Sequence, residues 1–155
     1  MSTIVGTNIE VTNIKFDSDT TSMIISNTGQ ITAQGEGTAT TNLQQGLAKA
    51  WFNLNASPVT ARDSFNIASF TDEATGSYEG NFTNAMNDGN YSAVGTCSTK
   101  GVVNAYQYIV TTGDETNTYG LHSTAGIRAN CYVTASTNAL SDTGMVQLNL
   151  NGDLA

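Results

Sequence analysis

Short runs of alternating apolar and polar residues, each ended by turn residues, extend over most of this chain. Residues 46–95 show the pattern most clearly, since no apolar run there is long enough for a helix. Period-2 alternation places every second side chain on one face of a sheet, so the pattern predicts strands joined by tight turns. The predicted strands cover residues 46–54, 63–70, 78–82, 90–96, 101–110, 119–122, 127–135 and 145–150.

The number and spacing of these strands predict an all-β fold. About eight strands at such spacing favour a single jelly-roll-like β-sandwich, which we place at residues 43–155. Residues 71–76 (TDEATG) form a short, turn-rich connection, so the strands on either side of it should pair as a hairpin. The Asp-Gly pair within residues 87–90 predicts another tight turn.

The strand predicted at residues 46–54 has two faces of similar character. Trp51 shares one face with Lys49 and Asn53. Phe52 and Leu54 lie on the other face. Alternation alone therefore leaves open which of the two faces is buried.

A short helix over residues 42–52 is the alternative for this segment, because Asn42 could cap its first turn. Gly46 inside that run weakens a helix by about 1 kcal/mol relative to Ala. We therefore prefer the strand.

Residues 1–42 differ from the rest because they hold short strand-like segments with little to bury by themselves. The pattern indicates turns at residues 17–19 and 27–29, a strand at 23–25, and a polar linker at 35–42 (GEGTATTN). We interpret the segment as an extended, β-rich N-terminal arm or an intersubunit layer. Its predicted anchoring or oligomer contacts are Ile9, Val11, Ile14 and Phe16.

Composition supports the all-β prediction. The 155-residue chain is 39% hydrophobic and only 12% charged, and Thr, Asn and Ser fill roughly a third of it. Thr favours strands, and Asn, Ser and Gly favour turns. The net charge of −8, with five Lys or Arg residues and no basic cluster, argues against nucleic-acid binding.

The sequence also indicates the compartment of synthesis. No stretch approaches the roughly 20 apolar residues that cross a bilayer, so no membrane insertion is expected. The N-terminal residues lack the pattern of a signal peptide, so we expect synthesis in a cytoplasm. Cys97 and Cys131 are then expected to be reduced and buried, with a disulfide between neighbouring strands as the alternative.

No residue pattern indicates catalysis, a metal or a cofactor. The single histidine, His122, has no marked triad partners and is expected at the surface near a strand end. The carboxylates lie mostly in predicted turns, where Asp binds its own backbone, although a glycosidase-like pair is the alternative. Lys49 could in principle donate to an intramolecular cross-link, but a lysine reaching the surface is the simpler interpretation.

Tyrosines in the second half of the chain suggest a binding surface. Tyr106, Tyr108 and Tyr119 are candidate contacts to a glycan or receptor, because a tyrosine ring stacks on sugars while its hydroxyl forms hydrogen bonds. Tyrosine is also a common strand and interface residue, so both interpretations stay open.

One block of residues resembles a module of marine bacteriophage virion structural and tail-fibre-like proteins. The resemblance covers residues 42–95 and, more loosely, 10–31. It is carried by Lys49-Ala50-Trp51, Arg62-Asp63-Ser64-Phe65-Asn66, Asp72, Gly76, Tyr78, Phe82, Asn84-Ala85-Met86 and Tyr91. It implies core positions at Phe65, Tyr78, Phe82 and Tyr91, and turns at Asp72, Gly76 and Asn84.

The resemblance implies a non-enzymatic virion structural protein. We expect an exposed head-decoration or short spike or fibre subunit at the virion surface, made in the host cytoplasm and docked through its N-terminal segment. Its expected partners are copies of itself, as a trimer, and other capsid or tail proteins. The alternative is a short tail-fibre protein that recognises host cell-surface glycans.

Overall fold

The computed structural model describes residues 13–15, 21–34, 39–98, 108–112, 122–133 and 139–155. These residues form three antiparallel sheets and one helical turn, which confirms the all-β prediction. The chain divides into two compact units, Met1–Leu47 and Ala48–Ala155. In this described part of the chain, no helix has the length and apolar character needed to cross a membrane.

The N-terminal unit contains a four-stranded sheet in which sequential strands are neighbours. Its elements are β1 (Asn13–Lys15), β2 (Thr21–Ile25), β3 (Ile31–Gln34), β4 (Thr40–Asn42) and the single turn α1 (Leu43–Gly46).

A glycine turn joins β2 to β3. Gly29 has a φ of 79°, and its N–H donates to the Ser26 carbonyl at 2.9 Å. The Gln44 side chain holds this turn in place from α1. Its Oε1 accepts from the Ile31 N–H at 2.9 Å, and its Nε2 donates to the Gly29 carbonyl at 3.2 Å.

The linker predicted at residues 35–42 is wrong at its C-terminal end. Residues 40–42 form β4, which pairs with β3 through Thr32↔Asn42 and Gln34↔Thr40. Threonine has high strand propensity, and β3 offers a free edge with which to pair. Residues 35–38 lie outside the described part, as do the turn predicted at 17–19 and the residues Ile9, Val11 and Phe16.

The helix and strand interpretations of residues 42–54 apply to different stretches. The helix is limited to α1, and the strand begins at Ala48. The unit boundary after Leu47 lies just before this strand.

The C-terminal unit consists of two sheets. Its strands are β5 (Ala48–Ala56), β6 (Val59–Phe65), β7 (Ile67–Ala74), β8 (Ser77–Phe82), β9 (Ser92–Ser98), β10 (Tyr108–Thr112), β11 (Gly126–Val133), β12 (Ala139–Leu140) and β13 (Met145–Asn151). The strand order is β6-β5-β13-β9 in one sheet, here called the β5 sheet. It is β10-β11-β8-β7 in the other, the β8 sheet, where β12 also pairs with β11.

Both sheets contribute to a single hydrophobic core. Phe52 on β5 meets Phe70 on β7 edge to face, with ring centroids 5.2 Å apart. Burying a side chain of this size stabilises the fold by about 1.5–3 kcal/mol. The other large buried apolar residues are Leu54, Tyr78, Phe82, Met86, Tyr91, Ile127, Val146, Leu148 and Leu150.

The core positions implied by the resemblance are confirmed at three of four sites. Tyr78, Phe82 and Tyr91 are buried. Phe65 is 51% exposed, so its assignment to the core is wrong. It pairs with Trp51 on β5, and both lie on the face of the β5 sheet that points away from the core.

The strand predicted at residues 63–70 is in fact two strands in different sheets. Asn66 has a φ of 60°, and this left-handed residue ends β6 and begins β7. Asparagine tolerates that conformation better than most residues, because its side chain can bond locally.

The hairpin expected around residues 71–76 is confirmed as β7 and β8. Its turn is shorter than predicted, because β7 continues to Ala74. Asp72 therefore pairs with Tyr78 inside the ladder and is not a turn residue. Gly76, with a φ of 67°, lies in the turn as expected.

Candidate functional site

The outer face of the β5 sheet, opposite the core, carries the most distinctive set of side chains in the described chain. Alternation along β5 decides its composition. Ala50, Phe52 and Leu54 are buried in the core, so Trp51 and Asn53 point outward.

Antiparallel register aligns the outward side chains in rows across four strands. Trp51 pairs with Phe65 on β6 and with Asn149 on β13. Asn149 in turn pairs with Val94 on β9. This first row thus contains two aromatic rings, one amide and one aliphatic side chain.

The neighbouring row is polar. Asn53 pairs with Asp63 on β6 and with Gln147 on β13. Gln147 pairs with Thr96 on β9. Apolar and amide side chains therefore lie side by side, since paired residues in adjacent strands are about 5 Å apart.

These rows enclose an open groove of about 570 Å³. Its outward side chains are Trp51, Asn53, Val94, Thr96, Gln147 and Asn149, and we call it the Trp51 groove. The volume lies within the range of about 300–1,000 Å³ that is typical of small-molecule sites. The two central strands, β5 and β13, are hydrogen-bonded on both sides and give it a firm floor.

None of the side chains that line the groove is ionisable. The amides of Asn53, Gln147 and Asn149 each offer donors and an acceptor. Asn53 Oδ1 is buried and accepts no hydrogen bond within the described residues. The exposed Val94, at 69%, leaves one wall apolar. This combination suits an uncharged ligand that has both hydroxyl groups and an apolar face.

The structure does not bring the sequence-predicted contact residues into this groove. Tyr106 and Tyr119 lie outside the described residues. Tyr108 is in β10, on an edge of the β8 sheet, and Ile14 is in β1 of the N-terminal unit. Those predicted contacts remain predictions.

Three acidic side chains in or next to the β8 sheet form ion pairs or hydrogen bonds within the fold. Arg128 on β11 forms ion pairs with Glu79, at 2.6 Å, and with Glu73, at 3.3 Å. Asp142 Oδ1 accepts from the Gly76 N–H at 2.8 Å. Among the residues that the structure describes, no group of three or more His, Cys, Asp or Glu side chains could hold a metal ion.

His122 and Lys49 are more enclosed than predicted. The His122 ring stacks on Tyr91 with centroids 4.8 Å apart, and is only partly accessible. Lys49 is buried, with 8% of its surface exposed, instead of reaching solvent.

Two buried tyrosines have altered acidity. Burial raises the pKa of Tyr78 to about 12 and that of Tyr91 to about 12. The Tyr91 hydroxyl donates to the Gly126 carbonyl at 3.0 Å and lies 3.2 Å from the Ser123 carbonyl oxygen. These phenols tie the loops around them to the core, and neither lines the Trp51 groove.

Comparisons of this chain with protein-family models, with curated proteins and with solved structures found no match.

Proposed function

We propose that this chain is a non-enzymatic structural protein of a bacteriophage virion. It is an exposed head-decoration or short spike or fibre subunit, docked through its N-terminal unit. The resemblance at residues 42–95 supports this proposal, and so does the acidic, Thr- and Asn-rich composition, which suits an outward-facing domain.

The observation that carries the proposal is the division into two unlike units. The C-terminal unit has its own hydrophobic core. In the N-terminal unit, by contrast, none of the described side chains is fully buried. A small sheet whose described side chains are only partly covered gains stability when another surface covers it, which is the behaviour expected of a docking segment.

The edges of the N-terminal sheet offer a route for docking. In the part that the structure describes, β1 and β4 each pair on one side only. A capsid or tail protein can add a strand to such an edge through backbone hydrogen bonds, with little demand on side chains.

A jelly-roll-like sandwich remains our proposal for the architecture of the C-terminal unit. The supporting observation is that the chain changes sheet between β6 and β7, between β8 and β9, and between β9 and β10. Repeated crossing between two sheets that share one core is typical of such folds.

Antibody-gold labelling of intact phage particles that encode this chain tests the proposal. We expect gold on the virion, spread over heads for a decoration protein or confined to tails for a spike or fibre. Particles that carry no gold, although the antibody detects the chain in infected cells, would reject a virion role.

A second candidate is a short tail-fibre protein that recognises host surface glycans. The Trp51 groove favours it, because a half-buried indole beside three amides is suited to sugar binding. Gold confined to tails would support this candidate over head decoration.

A further inference from the structure

The inference concerns the ligand of the Trp51 groove, and it rests on the second candidate function. Trp51 is the only tryptophan of the chain, and it stands on an interior strand instead of a mobile loop. Sites built on strands are more firmly preorganised than sites on loops, so less free energy is lost in ordering them.

The charges of the groove lining disfavour anionic ligands. The lining contains no cation, and Asp63 lies beside Asn53 at the end of the polar row. Arg62 reaches the same face of the sheet, where its Nη1 lies 3.6 Å from the Met145 sulfur, but it does not line the groove. The net charge of −8 adds to the repulsion. Phosphates, sulfated sugars and nucleic acids would therefore find no counter-charge in the groove.

The three amide side chains of the groove exclude a purely apolar ligand. Asn53, Gln147 and Asn149 present both donors and acceptors along one side of Trp51. Covering them with a hydrophobic surface would leave these groups unpaired, and each unpaired group costs binding energy. A ligand with several hydroxyl groups satisfies them instead.

The buried oxygen of Asn53 points to a ligand that donates hydrogen bonds. Asn53 Oδ1 has no donor within the described residues, whereas buried polar atoms are nearly always paired. Because Oδ1 is covered, a ligand hydroxyl beside Trp51 would reach it only after a rotation of the Asn53 side chain.

We propose that the Trp51 groove binds a neutral glycan. One pyranose ring stacks its apolar C–H face on the Trp51 indole, and its hydroxyl groups bond to Asn53, Gln147 and Asn149. The wall formed by Val94 and Thr96 limits the ring's position across the strands. The binding is non-covalent, and no bond in the sugar is broken.

Trp51 provides a direct readout, because all tryptophan fluorescence of the protein comes from this position. The full chain is applied to an array of neutral and anionic bacterial glycans, and then titrated with soluble maltotriose, cellotriose, mannotriose, chitotriose and trigalacturonate. We expect a saturable change in fluorescence with at least one neutral glycan and none with trigalacturonate.

Substitutions locate the binding. Trp51→Ala should abolish array binding, and Gln147→Ala and Asn149→Ala should each weaken it about tenfold, as expected for one lost hydrogen bond to a ligand. Asn81→Ala is the matched control, because Asn81 lies on the outer face of the β8 sheet. Circular dichroism establishes that each variant is folded.

Three results would overturn the proposal. They are an absence of binding to any neutral glycan, binding that survives Trp51→Ala, and fluorescence showing Trp51 covered by a second copy of the chain. Gold on virions together with an unresponsive Trp51 would reject this inference and leave the virion role intact. Unlabelled virions together with a Trp51 whose fluorescence responds to a glycan would reject the virion role and leave this inference intact.

Discussion

At the scale of single residues, a few asparagine and glycine residues determine where the chain of the C-terminal unit turns from one strand to the next. The Asn66 side chain joins three segments at the corner between β6 and β7. Its Nδ2 donates to the carbonyls of Lys49 and Asn84, both at 3.0 Å. Its Oδ1 accepts from the Asn84 N–H at 2.7 Å. One amide therefore fixes the point where the chain leaves one sheet for the other.

Replacing Asn66 with Ala should lower the free energy of unfolding by about 2–4 kcal/mol. The change removes these hydrogen bonds, each worth about 0.5–1.5 kcal/mol, and places an alanine in a left-handed conformation. Urea denaturation measures the loss. Asn66→Gly relieves the backbone strain but does not restore the hydrogen bonds, so its free energy of unfolding should lie between those of Asn66→Ala and the wild type. A wild-type urea midpoint for Asn66→Ala would contradict the assignment.

Gly76 is required for a different reason. A Cβ at this position would lie 2.5 Å from the Ser141 nitrogen and 2.9 Å from the Cys131 carbonyl oxygen. Both are backbone atoms that cannot move aside cheaply, and the φ of 67° adds strain. Gly76→Ala should therefore destabilise the chain by about 3 kcal/mol or more.

Gly46→Ala is the matched control for Gly76→Ala. A Cβ at Gly46 meets nothing within 4 Å, so thermal unfolding of this variant should stay near wild type. Equal melting temperatures for the two variants would show that the close approach at Gly76 does not constrain the fold.

Tyr78 and Tyr91 should make the protein sensitive to alkali. Each phenol ionises near pH 10 in the unfolded chain but near pH 12 when folded. Stability is unaffected below pH 10 and falls as the pH rises toward 12, by about 1.4 kcal/mol per pH unit for each tyrosine. Urea midpoints measured across this range test the slope. Tyr91→Phe should roughly halve it, whereas an unchanged slope would mean that Tyr91 ionises freely in the fold.

At the scale of elements, alternation predicted a strand well where the whole predicted segment lies in a single sheet. The prediction of 145–150 matches β13 closely, and 78–82 matches β8. The prediction of 63–70 failed because alternation continues through Asn66 while the backbone turns there. The turn signal was a single asparagine within the alternating run, and asparagine also occurs inside uninterrupted strands.

The candidate site could be predicted only in part. Alternation identified Trp51 and Asn53 as sharing one face, but not which face is buried. That depends on register with β13 and β9, which come much later in the chain. Gln147, Asn149 and Val94 were missed because non-local register leaves no trace in a local pattern.

The two cysteines connect elements of different sheets. Cys97 on β9 and Cys131 on β11 are both buried and free, and their thiols hydrogen-bond to each other. That hydrogen bond and burial raise the pKa of the Cys131 thiol, whereas the same hydrogen bond lowers the pKa of Cys97. Burial of both sulfurs slows their reaction with external reagents.

An aromatic disulfide reagent should therefore modify no thiol rapidly in the folded protein, and two after unfolding in urea. Val94→Cys supplies the matched control, because its side chain is exposed and should react at once. Rapid modification of the native wild type would show that the core between β9 and β11 opens readily.

At the scale of the whole molecule, the described part of the N-terminal unit leaves several apolar side chains partly exposed. Ile24 is 39% exposed, and Met23, Ile25 and Ile31 are only partly covered. Association of several copies would bury such residues, and closed rotational symmetry satisfies every copy equally. Burial of these residues favours self-association, and the homotrimer expected from the sequence is one such closed assembly.

Light scattering of the full chain should accordingly give a mass three times 16.2 kDa. Ile24→Lys places a charge among the exposed apolar residues and should shift the mass toward the monomer. Val94→Lys, on the outer face of the β5 sheet, should leave the mass unchanged. A monomeric wild type at micromolar concentration would reject the trimer.

The position of β13 has a consequence for how the protein is made. β13 lies between β5 and β9, yet it is synthesised after both. On the ribosome, β5 and β9 each wait with an unpaired edge until β13 inserts and joins them. Closure of this sheet therefore waits until its other three strands have been made, and in a crowded cell the β13 of a neighbouring nascent chain competes for the same place.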